Sequence, residues 1–247
     1  MELEADPRQA VALYLKDKLS GTQLLRCLAA YPHWRVPARL EGLVPVFGNY
    51  DLGTGERNFL MFSDPQAYMA CKERLGGEVL GEYFIDRVSG VKALSALSEE
   101  IAVVNINPFS PEEIHYSQEQ IPRLRAWAQI VKVEQALETM GTKRPDFATI
   151  KAFAEYFFIM EETQYIALAP DGRGRKLAAL FTAEDALENF LERNASRTGL
   201  KPVPINGEKL FSAIRRMPLE GLVFNCSGPA KPRAFPLAFC DEVLERG

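Results

Sequence analysis

The sequence is poor in the residues that build most metal and acid–base centres. Only two histidines occur in its 247 residues, His33 and His115, and neither has an HExxH, HxH or Cys–His spacing. The four cysteines are far apart and never form a CxxC pair, which argues against a zinc site and a disulfide framework. We therefore expect free buried thiols, no metal and no cofactor.

Long apolar runs and an excess of basic charge are lacking as well. No stretch approaches the roughly 18 consecutive apolar residues of a membrane span. The N-terminus, MELEADPRQ, is acidic where a secretory signal is basic. The formal net charge of −4 argues against general affinity for nucleic-acid phosphates. These observations predict a cytoplasmic protein without a membrane or nucleic-acid partner.

The familiar catalytic and nucleotide-binding motifs are also missing. No GxSxG nucleophile elbow occurs, and no GxxxxGK[ST] or GxGxxG loop follows a strand. The composition itself is ordinary, because 47% apolar and 25% charged residues are typical of a globular protein.

Two parts of the chain show the same succession of patterns. Each begins with an amphipathic helix and continues with extended segments around a glycine-containing turn. An apolar strand, a helix, a second helix opened by glycine and a strand ending in Asn then follow. In order, the paired segments are 22–31 and 147–156, 42–47 and 162–168, 58–63 and 177–182, 67–74 and 186–193, 90–97 and 207–214, and 101–107 and 219–225.

The helix that follows the apolar strand in each half begins with a capping pattern. Ser63 and Thr182 are polar residues at the end of an apolar strand, with Gln66 and Asp185 three positions later. A cap and a third residue of these types can satisfy each other's backbone amides. The pattern predicts Ser63 and Thr182 as N-caps.

A single helix is predicted between the two halves, over residues 118–138. It ends near Gly141 and Pro145, which favour helix termination. The sequence thus predicts an α+β fold of two similar mixed-sheet domains, 1–140 and 141–247, joined by a long helix. Residues 1–20 add a helix for which the second half offers no clear counterpart.

The strand-to-helix junctions resemble the SseB family, named for enhanced serine sensitivity. The resemblance depends on Phe62-Ser63 with Asn107-Pro108, and on Phe181-Thr182 with Asn225. In the second half Cys226 stands where the family pattern has Pro. The resemblance implies small mixed α/β units that occur singly or in tandem in bacteria, with roles in binding or regulation and no agreed catalytic mechanism.

We interpret the Asn-Pro step as structural. The residue before proline favours an extended backbone, and an Asn side chain readily binds the adjacent backbone at a strand end. We therefore expect a non-catalytic bacterial protein that binds another protein.

Three alternatives stay open. A toxin-immunity protein is a special case of protein binding. An enzyme would need a site between the two domains, with candidates His115, Asn107, Glu112 and Glu113. A separate anion or partner contact is possible at the glycine-rich turn that carries Arg173, Arg175 and Lys176, because backbone amides and Arg side chains bind phosphate and carboxylate groups.

Overall fold

The computed structural model describes residues 6–41, 44–51, 55–75, 84–140, 145–161, 164–165, 167–168, 175–197 and 199–247. The chain divides into two compact units, Glu2–Val131 and Lys132–Gly247, called here the first and the second unit. The division lies inside one helix, earlier than the predicted boundary after residue 140.

The first unit contains five helices and seven strands within its described residues. In chain order they are α1 (Pro7–Tyr14), α2 (Gly21–Ala30), β1 (Trp34–Glu41), β2 (Val44–Phe47), β3 (Asn49–Asp51), β4 (Arg57–Met61), α3 (Pro65–Leu75), β5 (Phe84–Val88), α4 (Gly90–Ser95), β6 (Val103–Ile106), β7 (Ile114–Ser117) and α5 (Ile121–Glu138). A short 3₁₀ turn, Gln118–Gln120, precedes α5. Helix α5 continues into the second unit.

The strands of the first unit form two sheets. One is antiparallel with the order β2-β1-β5. The other has the order β3-β4-β6-β7, in which β4 and β6 are parallel and the remaining pairs antiparallel. An isolated bridge between Arg35 and Phe62 links β1 to the end of β4. Mixed sheets covered by helices make this an α+β fold.

The second unit has its own elements in a corresponding order. They are α6 (Phe147–Ala152), β8 (Tyr156–Glu161), β9 (Gln164–Tyr165), β10 (Ala167–Leu168), β11 (Leu177–Phe181), α7 (Glu184–Arg193), β12 (Leu200–Ile205), α8 (Gly207–Ile214), β13 (Gly221–Phe224), β14 (Arg233–Pro236) and α9 (Ala238–Arg246).

All strands of the second unit belong to one sheet, with the central order β12-β8-β11-β13-β14. Strand β8 pairs antiparallel with β12, β9 and β11, as β1 does with β5, β2 and the end of β4. Strand β11 pairs parallel with β13, as β4 does with β6. The pairings therefore follow one scheme in both units.

An aromatic side chain begins the central antiparallel strand of each unit and fixes it to the preceding helix. Trp34 is fully buried and donates from Nε1 to the Leu28 carbonyl oxygen at 2.8 Å. Tyr156 is fully buried and donates from its hydroxyl to the Ile150 carbonyl oxygen at 2.8 Å. A buried aromatic residue with a polar group needs such a partner.

Glycine opens the short helices α4 and α8 because another backbone passes close by. A Cβ atom on Gly90 would lie 2.2 Å from the Leu28 carbonyl oxygen, and one on Gly207 would lie 2.5 Å from that of Lys151. The glycines noticed in the sequence therefore mark a close approach of two helices in each unit.

Several elements differ from those predicted. The helix expected over 147–156 ends at Ala152, and strand β8 begins at Tyr156. The pattern did not predict β1, β5 or β12. Pro37 lies within β1, and Pro202 and Pro204 lie within β12; proline in a run argues against a strand when only the sequence is considered.

Candidate functional site

A buried Asn side chain joins the ends of the two parallel strands in each unit. Oδ1 of Asn107 accepts from the Ser63 backbone N–H at 2.8 Å and from the Ser63 hydroxyl at 3.1 Å. Oδ1 of Asn225 accepts from the Thr182 N–H at 3.0 Å and from the Thr182 hydroxyl at 3.2 Å. We call these two arrangements the strand-end clamps. They lie where the carboxyl ends of parallel strands meet, a frequent place for binding sites in α/β folds.

The backbone at both Asn residues is left-handed, which for Asn107 corrects the extended conformation expected before Pro108. Asn107 has φ 48° and Asn225 has φ 52°. In each case the Asn carbonyl oxygen accepts from the N–H three residues later, Ser110 at 3.1 Å and Gly228 at 3.2 Å. Asn tolerates the left-handed region better than most residues, so the turn chemistry prevails over the preference imposed by Pro108.

The predicted N-caps are wrong. Helix α3 is capped by Asp64, whose Oδ1 accepts from the N–H groups of Gln66 at 2.8 Å and Ala67 at 2.9 Å. Helix α7 has Ala183 at its N-cap and no side-chain cap hydrogen bond. Ser63 and Thr182 lie one residue earlier and bind the clamp instead.

The aromatic residues before the clamps belong to the cores. Phe62 and Phe181 are fully buried and pack against Tyr68 and Phe190, with ring centroids 5.5 and 5.3 Å apart. Pro108 is buried as well. The motif residues of both halves therefore lie at corresponding buried places.

Ionic groups surround the clamp of the first unit. Arg8 on α1 places Nη1 3.5 Å from Oδ2 of Asp64 and Nη2 3.2 Å from Oε2 of Glu112. Burial raises the pKa of Asp64, but the N–H groups at the start of α3, the Ser63 hydroxyl and the charge of Arg8 lower it more, so the net pKa is below the usual range. Nδ2 of Asn107 is buried and has no hydrogen-bond partner among the described residues.

A carboxylate completes the clamp of the second unit. Oε1 of Glu134 on α5 accepts from the Thr182 hydroxyl at 2.7 Å and from Nδ2 of Asn225 at 3.3 Å. The amide that has no partner in the first unit is thus bonded in the second. A buried donor without an acceptor costs free energy, and a charged acceptor removes that cost.

The helices that carry Arg8 and Glu134 each bury an adjacent apolar pair. Ala10 and Val11 are buried in α1, as Ala136 and Leu137 are in α5. Arg8 and Glu134 lie two residues before these pairs, and they carry opposite charges.

The histidine considered for catalysis belongs to a polar chain across the sheet of the first unit. Nδ1 of His115 lies 2.5 Å from Oδ1 of Asn105, and Nδ2 of Asn105 donates to Oδ1 of Asn58 at 2.8 Å. Nδ2 of Asn58 donates to the Tyr50 and Glu56 carbonyl oxygens. Two carbonyl oxygens accept from Nδ2 of Asn58, so its Oδ1 must be the acceptor that faces Nδ2 of Asn105. Oδ1 of Asn105 therefore faces His115 and accepts, which makes Nδ1 of His115 the donor.

The other candidates for an enzyme site have separate partners. Oε1 of Glu113 lies 3.4 Å from Nε2 of His115, whereas Glu112 binds Arg8 and Asn107 binds Ser63. Reasoning from the sequence did not identify Asn58 and Asn105, although an Asn inside an apolar strand could have indicated a buried polar contact. The strand pairings place Leu177 and Val223 at the positions of the second unit that correspond to Asn58 and Asn105. This row of hydrogen-bonded polar side chains therefore belongs to the first unit alone.

The thiols are not activated. Burial raises the pKa of Cys71 to about 12, with the Glu113 carboxylate adding to the shift, and burial raises the pKa of Cys240 to about 12. Burial raises the pKa of Cys27 and of Cys226 too. A nucleophilic cysteine needs a lowered pKa, so these four side chains are protonated at neutral pH.

The proposed anion turn is described only in part. Arg173 lies outside the described residues. Arg175 is half-buried and Lys176 is exposed. The Lys176 N–H donates to Oε2 of Glu220 at 2.8 Å.

The part of the chain that the structure describes exposes large apolar side chains in the first unit. Among the described residues all of them lie before residue 131: Tyr14, Leu15, Leu40, Met69, Phe84 and Phe109. Phe109 follows the clamp turn, is 44% exposed and has φ 64°. A bulky residue in the left-handed region is strained, and exposed apolar groups mark surfaces that meet partners.

Comparison with known proteins gave little. No family model matches the chain, and no curated protein matches it. Among solved structures, the chain is similar to Tic22 of Anabaena, described as a protein of protein transport, with 10% identity over 81% of this chain and 88% of that chain. The TM-score of that match is 0.24, and it carries no argument here.

Membrane-spanning helices and metal-binding clusters are both absent from the described residues. No helix there combines the length and apolar character needed to cross a membrane. No group of three or more His, Cys, Asp or Glu side chains there is arranged to hold a metal ion.

Proposed function

We propose that this protein is non-catalytic and acts by binding another protein through its first unit. The carrying observation is the distribution of exposed apolar side chains, which among described residues are confined to that unit. Exposed side chains of this kind increase the gain from association because their burial removes apolar area from water.

The strained turn after the first clamp supports the same proposal. Phe109 holds a 44% exposed ring at φ 64°, and its counterpart in the second unit is Ser227, which lacks a positive φ. Aromatic anchors are frequent at the centre of protein interfaces. Backbone strain that presents such a ring to solvent is typical of functional surfaces.

We also propose that the two units are duplicated SseB-like domains. The matching strand pairings and the two clamps support this proposal. In that case the second unit keeps the scaffold while the first keeps the binding surface. The cytoplasmic location, the immunity role and the enzyme site remain predictions.

Affinity capture with matched variants tests the binding proposal. The bait is the full chain, in three forms: wild type, Met69→Ser/Phe109→Ser, and the corresponding Glu188→Ser/Ser227→Ala in the second unit. We expect mass spectrometry of native lysate to find a protein that wild type and the second-unit variant retain and the first-unit variant loses. Equal capture by all three, or a co-purified small metabolite with no protein, would contradict the proposal.

A further inference from the structure

Strand β5 is an edge strand whose outer backbone groups can be located from the bonds of β1. The Arg35 N–H donates to the Phe62 carbonyl oxygen at 2.8 Å, and the Arg35 carbonyl oxygen accepts from the Phe62 N–H at 2.9 Å. The Pro37 carbonyl oxygen accepts from the Gly48 N–H at 3.0 Å. Arg35 and Pro37 therefore bond away from β5. Their partners Arg87 and Ile85 form non-hydrogen-bonded pairs with β1, so their own N–H and C=O groups point outward.

Strand β12 is the corresponding edge in the second unit, and prolines occupy the same outward positions. Pro204 lies opposite Phe157, which pairs on its other side with Phe181 of β11. Pro202 lies opposite Ile159. Proline has no N–H, and prolines on an edge strand prevent the addition of another strand. The outward donors at these two positions are thus absent.

The two edges therefore differ where a new strand would attach. Ile85 and Arg87 keep the N–H groups that Pro202 and Pro204 lack, and no described strand pairs with the outer side of β5. We propose that β5 binds an extended segment of a partner protein by strand addition. This inference deepens the proposed function and rests on it.

The side chains of β5 indicate the chemistry of that segment. The Arg87 guanidinium is exposed and forms no ion pair within the described residues, so an acidic residue belongs opposite it. Ile85 shares that face and favours an apolar residue. On the other face Phe84 is 41% exposed and favours a second apolar residue. Asp86 already has a cation, since Lys92 Nζ lies 3.5 Å from its Oδ2.

A second copy of this chain is a poorer occupant. Within residues 84–88, the antiparallel self-pairing that uses both outward residues of each copy places Ile85 opposite Arg87 of the other copy. Asp86 then faces Asp86 in a non-hydrogen-bonded pair, where side chains approach most closely. Like charges directly opposite each other are destabilising.

A peptide titration tests the inference. The probe is a blocked peptide, Thr-Glu-Thr-Val-Leu, whose Glu and Val lie opposite Arg87 and Ile85 in antiparallel register. The full chain, labelled with ¹⁵N, is titrated as wild type and as Ile85→Pro/Arg87→Pro. We expect saturable shifts of the Ile85 and Arg87 amides in wild type, and at least tenfold weaker binding by the variant, which loses both donors. The variant is expected to fold because β12 accommodates prolines at these positions.

Two modified peptides test the inference on the wild type, whether or not the proline variant folds. The same peptide N-methylated at Glu and Val should not bind wild type, and a peptide with Lys in place of Glu should bind more weakly. No saturable shift in wild type, equal binding of the methylated peptide, or equal binding by a folded proline variant would overturn the inference. Dimerisation of the wild type that the proline pair abolishes would assign β5 to a second copy and also overturn it.

The capture experiment separates this inference from the proposed function. Ile85→Pro/Arg87→Pro leaves Met69 and Phe109 in place. If this variant still captures the protein that Met69→Ser/Phe109→Ser loses, the strand-addition inference fails and the proposed function stands. If no form of the chain captures a protein, the proposed function fails.

Discussion

Each strand-end clamp uses an Asn side chain to accept from a buried backbone N–H, yet the charged group that the helix nearby contributes differs: Arg8 in the first unit and Glu134 in the second. In the second unit Glu134 completes the clamp by accepting from Asn225 and Thr182. In the first unit Arg8 binds Asp64 and Glu112 and makes no bond to the clamp. The acceptor for the backbone N–H is thus present in both units, although the charged groups nearby differ. The first unit also has an Asn107 amide without a partner among the described residues and a strained, exposed aromatic turn at Phe109.

The edge strands repeat this contrast. The second unit closes its edge with Pro202 and Pro204, whereas the first keeps donors at Ile85 and Arg87. The exposed large apolar side chains of the described residues follow the same division. These two differences are the reason for proposing that binding belongs to the first unit.

Removal of the clamp amides should have the largest effect. We expect Asn225→Ala to lower the free energy of unfolding by about 3 kcal/mol and Asn107→Ala by about 2 kcal/mol. Both leave a buried N–H without an acceptor, but only Asn225 also donates to Glu134. Denaturant unfolding followed by circular dichroism measures both units. Trp34 and Trp127, the two tryptophans, lie in the first unit, so their fluorescence should follow that unit. A larger loss for Asn107→Ala would contradict the comparison.

The helix residues beside the clamps should differ next. Glu134→Ala removes the acceptor of two donors, and we expect a loss of about 2 kcal/mol. Arg8→Ala breaks ion pairs of a part-exposed side chain, and we expect a loss below about 1 kcal/mol. The same unfolding measurement checks both variants. Equal losses in the free energy of unfolding would contradict the expected difference between Glu134 and Arg8.

Relief of the strained turn should stabilise the first unit. Phe109→Gly replaces a bulky residue at φ 64° by one that adopts this conformation freely, and we expect a gain of about 1 kcal/mol. The matched Ser227→Gly has no positive φ to relieve, so it should give no gain. Thermal unfolding compares the two variants. A loss of stability with Phe109→Gly would mean that packing of the ring outweighs the strain.

The smallest expected effect is on the pH dependence of stability, because acid should weaken the start of helix α3 and not that of helix α7. The pKa of Asp64 is lowered in the fold, so its contribution to stability is fully present above the unfolded pKa and is lost as pH falls through the folded pKa. The second unit has Ala183 at the corresponding N-cap. We expect Asp64→Asn to reduce the pH dependence of first-unit fluorescence unfolding in this acidic range. An unchanged pH dependence would exclude Asp64 as its source.

The sequence alone was sufficient for local features and insufficient for long-range ones. Helix α8 has the predicted bounds and strand β2 lies within the predicted segment 42–47, because their patterns are local. Ser63 was mistaken for a cap because Asp64, the true cap, is its neighbour. The bond from Ser63 to Asn107 joins residues 44 positions apart, and no local pattern encodes it. The blocked edge of β12 was also hidden, since the prolines have meaning only once the register is known.

Site-specific photo-crosslinking at Phe109 and at Ser227 tests most directly whether binding belongs to the first unit. The photoreactive residue p-benzoylphenylalanine replaces each side chain in the full chain, and adducts are compared after illumination in the native cell. The account predicts a discrete protein adduct from position 109 and none from position 227. Equal adducts from both positions, or adducts from position 227 alone, would contradict it.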